Sequence, residues 1–195
     1  KWITTSATSL AHTFYFAGNM NADLRGWHVA NVKTMDLTFH GASKFAGEGL
    51  GSWDTSSVFT LVRTFGLAGE MEADLSAWNV AKVTTLRGTF KGASNFIGTG
   101  LSSWDTTSVK TLRETFYEAS EMNSDLSGWN VAKVTTLFSP FLSASKFAGT
   151  GLGSWDTASV TTLTGTFINA GEMNSDFSGW NVAKVTMLGS TFDSA

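Results

Sequence analysis

Trp2, Trp27, Trp53, Trp78, Trp104, Trp129, Trp155 and Trp180 cut this 195-residue chain into lengths that alternate between 25 and 26 residues. Around every second tryptophan the letters nearly repeat: SAWNVAKVTTL from Ser76, SGWNVAKVTTL from Ser127, SGWNVAKVTML from Ser178, and a weaker copy, RGWHVANVKTM, from Arg25. A catalyst needs one active site and has no use for such copies. A chain that stacks one structural unit on the next does need them. The sequence is therefore read as one array over residues 1–195, with units starting at the eight tryptophans and alternating between two variants.

Offsets counted from each tryptophan define columns. Offset 12 is always Phe and offset 15 always Ala, from Phe14 and Ala17 to Phe192 and Ala195. Offset 8 is Leu or Met, and offset 5 is Val after Ala7. Met and Phe alternate at offset 18, and a Leu or Phe stands shortly before the next tryptophan. Apolar positions 5, 8, 12 and 15 are spaced as one face of a helix. The segment after them, such as Glu121–Trp129, reads as a short strand entering a turn. The expectation is an α/β repeat solenoid of about eight units, each a short strand plus a short helical or 3₁₀ piece, with the Trp, Val, Leu, Phe and Ala columns inside. Pro140 at offset 11 shortens the helical piece, because proline is tolerated only in a first turn. The extra residue of the longer variant falls in a glycine-bearing turn, as in Lys146–Trp155.

Composition narrows the function classes. Apolar residues make up 42% and charged residues only 15%, so a core is affordable and the surface must rely on Ser, Thr, Asn and Gly. A net charge of −3 argues against nucleic acid or an anionic membrane as partner. The absence of cysteine removes disulfides and thiolate metal sites. No apolar run is long enough to span a bilayer, so membrane insertion is not expected.

The unit Trp104–Ser127, WDTTSVKTLRETFYEASEMNSDLS, resembles the repeat of BspA-like leucine-rich-repeat surface proteins, including that of mycoplasma-type lipoproteins. That unit runs roughly W-D-x-S-x-V-x-x-M-x-x-M-F-x-x-A-x-x-F-x-x-D-L-S. This chain departs from it with Leu for the first Met, Thr for the second, and Met alternating with Phe. The resemblance covers the whole chain. It implies a leucine-rich-repeat-like solenoid on an extracellular or cell-surface protein, with no catalytic residues.

Candidate sites were weighed against simpler roles. His12 and His40 occupy adjacent units, where a metal pair and scattered surface histidines are the two readings, with His28 further off; the second reading is favoured. Asp23, Asp74, Asp125 and Asp176 form one column and Asp54, Asp105 and Asp156 another. Turn capping is favoured over calcium or acid–base roles. At offset 17, Lys44–Glu70 and Glu121–Lys146–Glu172 suggest a charge ladder of register value. Threonines recur at offset 7 (Thr34, Thr60, Thr85, Thr111, Thr136, Thr162) and at offset 11 (Thr13, Thr38, Thr64, Thr89, Thr115, Thr166, Thr191). Such ranks suit either ice binding or hydroxyls bonded to backbone. Offsets 9, 10, 13 and 14 vary most and predict one displayed interaction face, with Arg63, Arg87, Lys91, Arg113, Tyr117 and Phe138 as its candidates, beside Glu114, Glu118 and Ile168.

The function expected is a non-enzymatic extracellular or cell-surface adhesion module or structural scaffold, without cofactor or metal, meeting a surface protein or glycan. Ice binding through Thr60, Thr85, Thr111, Thr136 and Thr162 is the alternative. A head-to-tail filament of neighbouring copies is the third, set against a segment of a longer array.

Overall fold

A computed structural model describes residues 2–195. Each tryptophan-to-tryptophan unit forms one coil, and main-chain hydrogen bonds lock each coil to the next. Down the offset-6 column, the Phe59 N–H donates to the Lys33 carbonyl, Thr84 to Phe59, Lys110 to Thr84 and Thr135 to Lys110. One residue on, isolated parallel bridges join Ser9 to Thr34 and Thr34 to Thr60, and run from Thr111 through Thr136 and Thr162 to Met187.

The expected α/β, leucine-rich-repeat-like architecture is not what forms. Among the described residues there is no α-helix and no β-strand. The regular helical pieces are three single 3₁₀ turns, Leu50–Ser52, Leu101–Ser103 and Leu152–Ser154. The chain is otherwise irregular in local conformation, though it repeats from coil to coil.

Backbone dihedrals explain the misreading. Offsets 10 and 14 have positive φ in every unit, from His12 and Phe16 at 62° and 54° to Ser190 and Ser194 at 53° and 56°. An α-helix needs an unbroken run near −60°. The segment is instead a series of overlapping four-residue turns. In the fifth coil, Thr115 N–H donates to the Leu112 carbonyl and Tyr117 to Glu114, each three residues back. Between them, Glu114, Phe116 and Glu118 donate across to Phe138, Pro140 and Leu142 of the next coil. Positive φ at the third residue marks a type II turn. Overlapping four-residue turns in series bring side chains back to one face every three or four residues, as a helix does. The apolar spacing therefore cannot tell the two apart. The segment expected as a strand, Glu121–Trp129, forms no strand: it makes scattered main-chain bonds, from Glu121 to Ser94 and Asn123 to Ile97 of the preceding coil and from Leu126 to Thr150 of the next.

The core lies inside the stack. Phe39, Phe65, Phe90, Phe116, Phe141 and Phe167 are buried and stacked ring on ring, with centroids 5.6–5.8 Å apart. Trp53, Trp78, Trp104, Trp129 and Trp155 are buried beside them. Each indole N–H donates to the carbonyl that precedes the previous tryptophan by three residues, as Trp104 does to Leu75 at 3.2 Å and Trp129 to Leu101 at 2.8 Å. That bond satisfies a buried donor and pins coil to coil. The columns are less enclosed at the two ends than expected: Trp2, Leu188 and Phe192 are exposed, and Trp27 and Trp180 half-buried.

The extra residue of the longer units sits where the sequence put it, in the turn before the 3₁₀ segments. There Gly49, Gly100 and Gly151, at φ 90–91°, run against the backbone of the preceding coil.

Candidate functional site

Along the middle coils offsets 8, 11, 12 and 15 fill the interior. Offsets 9, 10, 13 and 14 lie at the outer side of the turn series, mostly half-buried, with Arg87 and Glu118 among the exposed and His40, Glu114 and Ser139 among the buried. Between the third and sixth coils this surface collects most of the charged and aromatic residues that vary along the array. Gly88, at φ 61°, has no side chain to obstruct its neighbour, and a Cβ there would lie 2.9 Å from Cγ of Arg63. Arg63 therefore extends over the fourth coil and reaches Glu114 on the fifth.

Glu114 is the hub. Its carboxylate lies 3.1 Å from Lys91 Nζ, 3.3 Å from Arg113 Nε and 3.8 Å from an Arg63 guanidinium nitrogen. Only 8% of the residue is exposed. Burial alone would raise its pKa, but hydrogen bonds and charge from Lys91 and Arg113 outweigh it and hold the carboxyl below its ordinary value. The cations are also held by rings: Lys91 Nζ lies 4.0 Å from the Tyr117 centroid, and the Arg113 guanidinium carbon 4.5 Å from that of Phe138. Arg87 is exposed beside them and forms no ion pair among the described residues. Of the six candidates for the face, Arg87 is exposed, and the other five are half-buried and gather around Glu114. What sequence reasoning missed was Glu114 as the centre. Its signal was an acid standing one coil beyond Lys91 and two beyond Arg63.

The threonine ranks divide. At offset 11 the hydroxyls bond the main chain and, from Thr38 on, are buried; Thr89 Oγ1 lies 2.9 Å from the Leu86 carbonyl and 3.0 Å from that of Leu61. At offset 7, Thr60, Thr85, Thr111 and Thr136 are half-buried and Thr162 buried. Thr85, Thr111, Thr136 and Thr162 accept from the N–H two residues on, and Thr60 donates to Asp36. The exposed rank is offset 6, where Lys33, Phe59 and Lys110 interrupt Thr84, Thr135 and Thr161.

Both aspartate columns cap turns. Asp74, Asp125 and Asp176 accept from the N–H two residues on at 2.8 Å, as Asp23 does at 2.9 Å. Asp54, Asp105 and Asp156 do the same at 3.0–3.1 Å. Of the proposed charge ladder, the Lys146–Glu172 rung forms, at 3.4 Å. His12 and His28 are exposed, but His40 is not the surface histidine expected. It is 8% exposed, packed on Tyr15 and Phe16, with Nδ1 unpartnered above Gly66. Burial lowers its pKa, helped by Arg63. No group of three or more potential metal ligands converges among the described residues, and no helix of the described residues is long and apolar enough to cross a membrane.

A family model described as "Mycoplasma protein of unknown function, DUF285" matches residues 8–99, 60–152 and 84–195, in overlapping spans that follow the repeats. No curated protein matches the chain.

Proposed function

The chain belongs to the family described as Mycoplasma protein of unknown function, DUF285, and within it we propose that this protein is a non-enzymatic binding module, an adhesion element at the cell surface or outside the cell. The observation that carries this reading is the cluster of Arg63, Arg87, Lys91, Arg113, Tyr117 and Phe138. Interior columns repeat almost without change, whereas these outward positions differ from coil to coil and converge on one patch. In repeat proteins, identical cores with divergent outer residues are the usual basis of recognition. Tyrosine and arginine are also among the residue types that dominate binding energy. The stretches Trp53–Val58, Trp104–Val109 and Trp155–Val160, which resemble the opening of the BspA-like surface-protein repeat, support the surface location. The offset-7 hydroxyls, half-buried or buried and engaged by the main chain or, at Thr60, by Asp36, offer ice little.

The test is a binding screen of the full chain against surface proteins and glycans, repeated with Arg87→Ala, Tyr117→Ala and Phe138→Ala. Every interaction found should weaken in at least one of these variants. A partner whose affinity is untouched by all three removes this patch, and with it the reading.

A further inference from the structure

Resting on that reading, we infer that the partner of the patch is an anionic carbohydrate, a glycan chain bearing sulfate or uronate groups. Four of the chain's thirteen basic residues, Arg63, Arg87, Lys91 and Arg113, lie here, and the acids among them are Glu114 and Glu118. That leaves nine basic and fourteen acidic residues for the rest of the molecule. The patch is thus a cationic island on an acidic protein. Glu114 neutralises one charge of the three that contact it, and every guanidinium keeps N–H donors that its carboxylate cannot occupy.

The arrangement selects the kind of anion. The cations come from three successive coils, whose stacked phenylalanines are 5.6 Å apart. Positive charge therefore runs along the stack axis, one step per coil. Glu114, Tyr117 and Phe138 hold these side chains in place before any ligand arrives, which reduces the ordering cost of binding. A linear polymer with an anion on successive sugars matches such a row. Single-stranded nucleic acid fits less well. It needs open aromatic faces for base stacking, and here Lys91 and Arg113 lie over Tyr117 and Phe138. A folded acidic protein would need anchor pockets, whereas these rings are covered by their own cations.

The experiment measures binding of the full chain at low salt to heparin oligosaccharide and to oligogalacturonate. Neutral dextran, poly-glutamate and oligo-thymidylate are the comparisons. Arg87→Glu is the main variant, because Arg87 supports no ion pair in the fold; Arg87→Gln serves if it unfolds. Lys184→Glu, on the exposed surface of the last coil, is the charge-matched control. The expected result is binding to at least one charged saccharide and not to dextran, falling with salt. It should weaken by about fivefold or more in Arg87→Glu and stay unchanged in Lys184→Glu. The saccharide bound then tells sulfate from uronate. Absence of binding to both charged saccharides, or equal loss in the Lys184 control, overturns the inference. Tighter binding to poly-glutamate or oligo-thymidylate, still lost in Arg87→Glu, also overturns it but leaves the binding module standing. Substitutions that change no interaction at all defeat both.

Discussion

Gly100→Ala tests the stacking geometry at its tightest point. Gly100 sits at φ 90° and ψ −10°. A Cβ there would overlap the backbone nitrogen of Ser76 and lie 2.5 Å from the carbonyl carbon of Leu75. Neither atom is the end of a flexible side chain, so the two coils must part. Alanine in this conformation costs about 1–2 kcal/mol from the left-handed backbone alone. Parting strains three bonds: Leu75 N–H to the Thr99 carbonyl (3.2 Å), Ser103 Oγ to the Ser76 carbonyl (3.1 Å) and the Trp104 indole to the Leu75 carbonyl (3.2 Å). Losing two of them adds about 2 kcal/mol. The total of about 3–4 kcal/mol corresponds to a melting temperature lower by roughly 10 °C for a chain of this size. Gly171→Ala is the comparison, since a Cβ at Gly171 meets nothing within 4 Å; it should change stability by less than about 0.5 kcal/mol. Thermal and urea unfolding of the two variants decide the matter. Stabilities within about 1 kcal/mol of each other would refute the claim that coil-to-coil contact fixes this glycine.

Phe116→Ala removes a ring stacked between Phe90 and Phe141 and should cost about 3–5 kcal/mol in urea unfolding, well above Tyr117→Ala on the outer face. Pro140→Thr should be stabilising by about 1 kcal/mol. It restores the N–H and hydroxyl that offset 11 supplies in the other units, two bonds of about 1 kcal/mol each, less about 0.7 kcal/mol of lost proline rigidity. Ser139 and Ser143 keep φ of 50° and 56°, so the turn is already shaped for threonine; a lower melting temperature would contradict this. Acid should destabilise the fold chiefly below the ordinary carboxyl range. Backbone N–H donors lead in lowering Asp23, Asp74, Asp125 and Asp176 from 3.8, and side-chain hydroxyls lead in lowering Asp54 and Asp105. A folded-state pKa below the unfolded one gives stability that is present above 3.8 and lost as pH falls through the folded values. Urea midpoints should therefore drop mainly below about pH 4; midpoints that hold steady from pH 5 down to pH 2.5 would show that these caps contribute nothing.

The columns could be read from the letters because burial selects residue type directly. A ring that must stack on the ring of the next coil stays Phe at offset 12, from Phe14 to Phe192. The outward positions could be read for the opposite reason. Backbone conformation could not. Only Gly41, Gly88, Gly92 and Gly165 mark the left-handed sites by residue type, and the remaining twelve carry Leu, Arg, Glu, Ser, His, Phe or Asn, of which only Asn and His are enriched in that conformation. Bonding to the next coil overrides their local preference, and a single sequence does not show that coil. Glu114 was obscured in the same way, since its three cations come from its immediate neighbour and from coils 23 and 51 residues earlier in the numbering.

Those left-handed sites bear on function as well as fold. A non-glycine residue in this conformation costs about 1–2 kcal/mol that glycine would avoid, and strain of this kind persists where surrounding structure and use maintain it. The array shows that offset 10 accepts glycine, because Gly88 and Gly165 occupy it with φ of 61° and 64°. It also accepts His12, Leu37, Ser139 and Ser190. Yet on the patch it carries Arg63 and Glu114, at φ of 51° and 56°, two long charged residues poorly suited to the site. Between them Gly88 leaves the gap through which they meet. The backbone need is the same in every coil and is met by glycine, serine, leucine, histidine, arginine and glutamate alike, so it does not dictate the side chain, and at Arg63 and Glu114 that freedom is used for the ion cluster. A scaffold that leaves the residue open at these turns can thus carry a charge arrangement that the core does not require.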